Sequence, residues 1–282
     1  MLRYLTIISN KIRQMRKTGN TMKLKIVVAC IILVALISGA SILLSEKSVP
    51  PTNGTNFYFV DGEDAAFTNE QRARIKEIIK ATITKTKKLY PSLSENINFN
   101  IHSVDRDFSM VNGVTGRADR THEIEISLSS TYKGGMDKAI DDGLEITLFH
   151  ELHHIVRGWV VHENKFGRGI DIAAVNEGLA DVFAEAQSGR AASTFPGDPD
   201  FDAWTIEILA LPKNANYGEW MNQLPDGRTA VGYRTGAWLV REAMANSELN
   251  ILELSELSVS EIYKLAGYSH EPSSWSVLDL LP

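Results

Sequence analysis

"LFHELHHIV", residues 148–156, sets three histidines and a glutamate in an otherwise apolar stretch. Leu148, Phe149, Leu152, Ile155 and Val156 recur at helical spacing, which predicts an amphipathic helix with His150 and His154 on one face. Two imidazoles so placed can reach one metal ion, and Glu151, beside the first of them, can reach a water on that ion without binding it. A zinc ion there would lower the water's pKa and polarise a substrate carbonyl. The plainer reading is a helix with a wet polar face. Against it, buried histidines and a glutamate among such neighbours are costly unless partnered. On these residues alone His153 could stand in for His154 as a ligand.

A catalytic zinc site usually has three protein ligands and one open position. The continuation with a glycine and a third histidine fails, because Arg157 and Val160 stand at those positions. Farther on, "IAAVNEGLADVFAEAQSG", residues 172–189, predicts a second helix closed by Gly189. Glu177 lies there, 23 residues after His154, and Asp181 is one turn beyond it on the same face, among small and apolar neighbours. Asn176-Glu177-x-x-x-Asp181 resembles the N-E-x-x-x-D element of the thermolysin-like gluzincins. The resemblance implies that Glu177 is the third ligand to Zn2+, with His150 and His154. It also implies that Asn176 and Asp181 hydrogen-bond the ligand histidines, and it leaves His153 as a surface or supporting residue.

"HELHHIVR" and "NEGLADVFAE", together with "GYRTGAWLVREAM" and the stretch ending "SVSEIYKLAG", are similar to the predicted zinc-dependent proteases of domain-of-unknown-function type 2268, over about residues 95–268. The implied activity is peptide-bond hydrolysis, with Glu151 taking a proton from water and returning it to the leaving amine. The developing oxyanion needs a second donor. Tyr233, Arg234 and His162 are candidates, and Tyr233 is favoured because gluzincin-like folds often place such a donor on a later helix.

The rest of the body is compatible with that fold. "TNEQRARIKEIIKATITKTKKLY", residues 68–90, opens with a Thr68–Gln71 capping-box pattern and carries Ile75, Ile78, Ile79 and Ile83 at helical spacing up to Pro91. "INFNIHSV", 97–104, and "HEIEISLS", 122–129, alternate like strands, and "VNGVTGRADR", 111–120, reads as a loop with two glycines. "HEIEISLS" is expected to be the sheet edge that binds extended peptide by strand addition. After Gly143 the pattern is helical: residues 203–212 end at Pro212, 229–246 form another helix, and a last short one is capped by a serine. The expected fold is α+β and zincin-like: a small mixed sheet with one helix, packed on a mostly helical C-terminal half.

The chain has 282 residues, which suits one large domain or two small ones plus an anchor. Residues 1–25 hold seven basic and no acidic side chains, while the remainder carries 22 basic against 35 acidic, which argues against nucleic-acid binding by the body. Between them, residues 26–44 are uncharged and apolar, and as a helix would span about 28 Å. This predicts a basic cytoplasmic head at 1–25, a transmembrane anchor or signal-peptide core at 26–44, a Pro-containing linker at 45–56 and a metallopeptidase domain at 57–282. Met22 is an alternative start that would favour the signal peptide. Either way the body is exported, anchored to the membrane or secreted, and its substrate is a peptide or protein. Cys30 is the only cysteine, so the body has neither a disulfide nor a thiolate ligand. Asp198, Asp200 and Asp202 in "GDPDFD" are a weak calcium pattern, lacking the glycine and terminal glutamate of an EF-hand. His102, His122 and His270 read as surface or strand histidines. The alternative to an enzyme is a zinc-binding domain that senses or binds without turnover.

Overall fold

The computed structural model of the chain describes residues 54–270 apart from residues 64 and 198. The basic head, the apolar stretch at 26–44, most of the linker and Asp198 lie outside the described residues. Among the described residues, no helix is long and apolar enough to cross a membrane.

The fold is mixed α and β. Strand β1 (Asn56–Val60) leads to helix α1 (Asn69–Leu89), then β2 (Asn98–Val104), β3 (Val114–Arg120) and β4 (Glu123–Ser129). The four strands order as β1-β2-β4-β3, with β1, β2 and β4 parallel and β3 antiparallel to β4. Helix α1 begins at the Thr68–Gln71 capping box, with Glu70 in its first turn and Lys87 and Lys88 in its last, as the helix dipole favours. It buries Ile75, Ile79 and Ile83 against the sheet face made by Phe99, Ile101, Ile124, Ile126 and Leu128. Each such burial contributes about 1.5–3 kcal/mol.

Helix α2 (Gly135–Ala139) runs through one π-helical turn (Ile140–Leu144) into α3 (Glu145–Arg157), the helix of the histidines. Helix α4 (Ile170–Ser188) ends at Gly189, whose φ of 69° permits the left-handed C-cap. There follow α5 (Phe201–Leu209), α6 (Tyr217–Met221), α7 (Val231–Ser247), α8 (Ile251–Leu254) and α9 (Val259–Leu265), the last two opened by capping boxes at Asn250 and Ser258. Helix α3 is shared between two cores: Leu148, Leu152 and Ile155 join the sheet cluster, while Ile146 and Phe149 pack with α4, α7 and α9.

Two expectations about the sheet are corrected. Residues 114–120, read as a loop, form β3, and β4, read as the edge, lies between β2 and β3. Gly116 and Asp119 have low strand propensity, so β3 is held by its ladder to β4 rather than by local preference. The edges are β1 and β3. Part of β3's outer edge is already taken, because the Val161 and His162 amides donate to the Ala118 and Asp119 carbonyls at 3.1 and 3.0 Å.

Candidate metal centre

Helix α3 is closed by Gly158, whose φ of 82° lets the Gly158 and Trp159 amides bond back to the His154 carbonyl at 2.8 and 2.9 Å. Its cleft-facing side carries His150, Glu151 and His154. Helix α4 crosses it and brings up Glu177. His150 Nε2 and His154 Nε2 each lie 3.1 Å from Glu177 Oε2, and the two Nε2 atoms are 2.8 Å apart. Among the described residues this is the group of metal-ligating side chains close enough to share an ion.

The donor chemistry fits a zinc ion. Asp181 Oδ1 stands 2.8 Å from His150 Nδ1, so that nitrogen donates to the carboxylate and the Nε2 lone pair faces the cluster. Tetrahedral ligand atoms on zinc at about 2.0–2.2 Å stand ~3.4 Å apart, so the two 3.1 Å sides of this triangle need a few tenths of an ångström of widening and the 2.8 Å histidine–histidine side about twice that. Neutral imidazoles this close would turn lone pairs toward one another and toward a carboxylate, an arrangement that a shared cation relieves. Burial pushes the His150 imidazolium down, but the hydrogen bonds to Asp181 and Glu177 hold its pKa well above the usual value. Burial pushes the Glu177 carboxyl up, and the two histidines outweigh that and hold it well below the carboxylate range.

Glu151 is 4% exposed, and its Oε2 has no hydrogen-bond partner. Burial raises its pKa, with His150, His154 and the Ala118 amide pulling the other way. Its carboxylate occupies the space beside β3 that a side chain at Gly116 would fill, since a Cβ there would meet Glu151 Cγ at 2.5 Å and Oε1 at 2.6 Å. Gly143 lets the start of that strand approach the π-helical turn that leads into α3, because a Cβ there would run into the Asn112 carbonyl and sit 2.8 Å from Val114. The four residues of the centre line a cleft of about 630 Å³ together with Trp159, Tyr217 and Tyr233, a size usual for ligand sites.

Tyr233 stands at this cleft with its ring 6.5 Å from that of His150, and burial raises its pKa well above the usual phenol value. Arg234 instead donates to the Pro196 and Gly197 carbonyls, and His162 is an exposed loop residue outside the cleft lining. Asn176 does not turn to the histidines: its Oδ1 accepts from Arg157 Nε at 2.7 Å and its amide donates to the Ile172 carbonyl. His153 is not at the surface. It is fully buried on a different face of α3, 2.8 Å from Ser255 Oγ and packed on Phe183, and burial holds its pKa well below the usual value. The helix period explains this, since residue 153 is displaced about 100° from 154. His270 is also enclosed, stacked on Tyr263 and 2.9 Å from Asp171 Oδ2. His102 lies on β2 and His122 in the turn before β4. Asp200 caps α5 through the Ala203 amide and Asp202 accepts the Tyr268 hydroxyl, so both carboxylates have protein partners.

Two residues that touch Glu177 were not anticipated. Trp159 Nε1 donates to Glu177 Oε1 at 2.8 Å and the Tyr217 hydroxyl donates to the same oxygen at 3.2 Å. The Gly158–Trp159 pair just past the helix was the available signal for the first, while Tyr217, 40 residues beyond Glu177, had none.

A search of curated proteins finds no match to the chain. The family model described as DUF2268, "Predicted Zn-dependent protease", matches residues 75–264, a span that takes in α3, α4 and all of the cleft residues named above. By this match the chain belongs to the DUF2268 family, described as predicted Zn-dependent proteases.

Proposed function

We propose that this protein is a zinc-dependent metallopeptidase whose catalytic body works outside the cytoplasm. The observation that carries the reading is the meeting of His150, His154 and Glu177 beside a buried, unpartnered Glu151 oxygen in one cleft. His150, His154 and Glu177 would hold the metal, with Asp181 fixing the His150 tautomer. A zinc ion held there supplies Lewis acidity, acidifying water and polarising a peptide carbonyl.

The chain's own groups do the rest. Glu151 Oε2 takes a proton from the attacking water and delivers it to the departing amine nitrogen. Its raised pKa brings it closer to the working pH, where it can both accept and return that proton. Tyr233 keeps its phenolic proton at any physiological pH and is the candidate donor to the developing oxyanion. The cleft lies beside β3, so an extended peptide entering it would run along that strand. Export is proposed from the basic residues 1–25 and the apolar run 26–44, which favour an anchored or a secreted body.

The test is zinc content of the purified full chain together with cleavage of a peptide library, for wild type and Glu151→Gln. One zinc per chain in both, with cleavage by wild type alone, is the expected result. Zinc in both and no cleavage by either would favour a binding or sensing domain. No zinc in wild type would remove the metallopeptidase reading.

A further inference from the structure

Glu177 has two oxygens in different surroundings. Oε2 faces the two histidine Nε2 atoms, each at 3.1 Å. Oε1 faces the other way and receives the Trp159 indole N–H at 2.8 Å and the Tyr217 hydroxyl at 3.2 Å. An indole N–H can only donate, so the sense of the first bond is fixed. Glu177 itself is 5% exposed, and so depends on these protein donors rather than on solvent.

We propose that Trp159 and Tyr217 are positioning residues for the metal: by holding Oε1 they stop the Glu177 carboxylate from rotating and present Oε2 alone as its ligand atom. The inference rests on the metal-site reading above and deepens it. The two donors come from separate elements. Trp159 is placed by the end of α3, where the left-handed Gly158 turns the chain and the Trp159 amide bonds to the carbonyl of His154. The same helix terminus thus fixes one ligand and the donor that orients another. Tyr217 is the first residue of α6, and its hydroxyl reaches inward although 47% of the residue is exposed. Without the two donors, Oε1 would be a buried oxygen with no partner. The carboxylate would gain by swinging, either to offer both oxygens to one ion or to leave the triangle. Groups that orient a metal ligand in this way change affinity by about 10–100-fold when removed.

Tyr217→Phe removes the donor and keeps the ring, while Trp159→Phe removes the indole N–H and leaves a smaller aromatic ring. Tyr217→Phe alters a half-exposed residue and is the variant less exposed to folding loss. In the full chain, zinc affinity is measured by chelator competition, and the ligand field by the visible absorption of the cobalt(II)-loaded protein. The expected result is about 10-fold weaker zinc binding in each variant, up to about 100-fold in the pair, with an altered cobalt spectrum. A role in packing alone, such as the Trp159 contact with Phe166 at 6.3 Å, would lower the melting temperature and leave affinity and spectrum unchanged. That outcome in Tyr217→Phe and Trp159→Phe, with wild type binding zinc and Glu177→Ala losing it, overturns the positioning roles while the metal site stands. Failure of wild type to bind zinc or cobalt overturns both.

Discussion

Gly116 shows how much one missing side chain contributes here. Its position on β3 lets the Glu151 carboxylate lie against the strand, and a methyl group would sit 2.5–2.8 Å from Glu151 Cγ, Oε1 and Cδ. These atoms belong to the end of a flexible side chain, so Gly116→Ala is expected to fold and to bind zinc while displacing the base. Cleavage should fall about 100-fold, the usual cost of misplacing a reacting group by an ångström. Steady-state kinetics alongside zinc content checks this, and full activity in the variant would mean that Glu151 is not the base. Asp181 acts at one remove. Asp181→Asn keeps the shape but removes the charge 2.8 Å from His150 Nδ1. Zinc affinity should drop about 10–100-fold, read by the same chelator competition.

At the scale of elements, the centre depends on how closely helices approach. Helices α4 and α7 meet at Gly178 and Gly236: a Cβ on Gly178 would overlap the Gly236 carbonyl, and one on Gly236 would overlap the Ala174 carbonyl. Gly178 is the residue after Glu177, so the contact that seats α4 also sets the height of the third ligand. These neighbours are backbone and cannot yield as a side-chain end would. Gly178→Ala is therefore expected to cost roughly 3 kcal/mol, at the upper end for overpacking, or to prevent folding. A melting temperature within a degree or two of wild type would contradict the close approach.

Over the whole molecule, α3 stands between two hydrophobic clusters, and more distant parts are tied to the start of α4 through Asp171. Its carboxylate accepts from Lys213 Nζ at 2.7 Å and lies 2.9 Å from His270 Nε2, joining the 213 loop and residue 270 to α4. Burial pushes the Asp171 carboxyl up, but His270 and Lys213 together hold it below the usual range. A carboxylate with a lowered folded pKa contributes stability above its unfolded pKa, about 3.9, and loses it as pH falls through the folded value. Asp171→Asn should thus destabilise the protein by about 1.5–3 kcal/mol at neutral pH, with the gap closing below about pH 4. Urea denaturation at pH 7 and pH 3 measures it, and an equal gap at both pH values would refute the linkage.

The local features were legible because each depends on residues a few positions apart. The 3.6-residue period places His150 and His154 together, and also Glu177 and Asp181. Capping chemistry marks the starts at Thr68 and Ser258, and Gly189 marks an end. Alternation identifies β2 and β4. What only the tertiary structure decided is which remote groups meet. β3 is a strand because β4 pairs with it, although its own residues favour a loop. His153 is buried because Ser255 at the end of α8, Phe183 of α4 and Tyr90 meet that side of α3, and no spacing within "LFHELHHIV" shows what lies behind the helix. Asn176 turned to Arg157, a partner that the N-E-x-x-x-D pattern does not contain. Trp159 and Tyr217 converge on Glu177 Oε1 from elements 58 residues apart. Sequence periodicity reports which side chains share a face. What that face meets is set by the packing of whole elements, where long-range burial outweighs local preference.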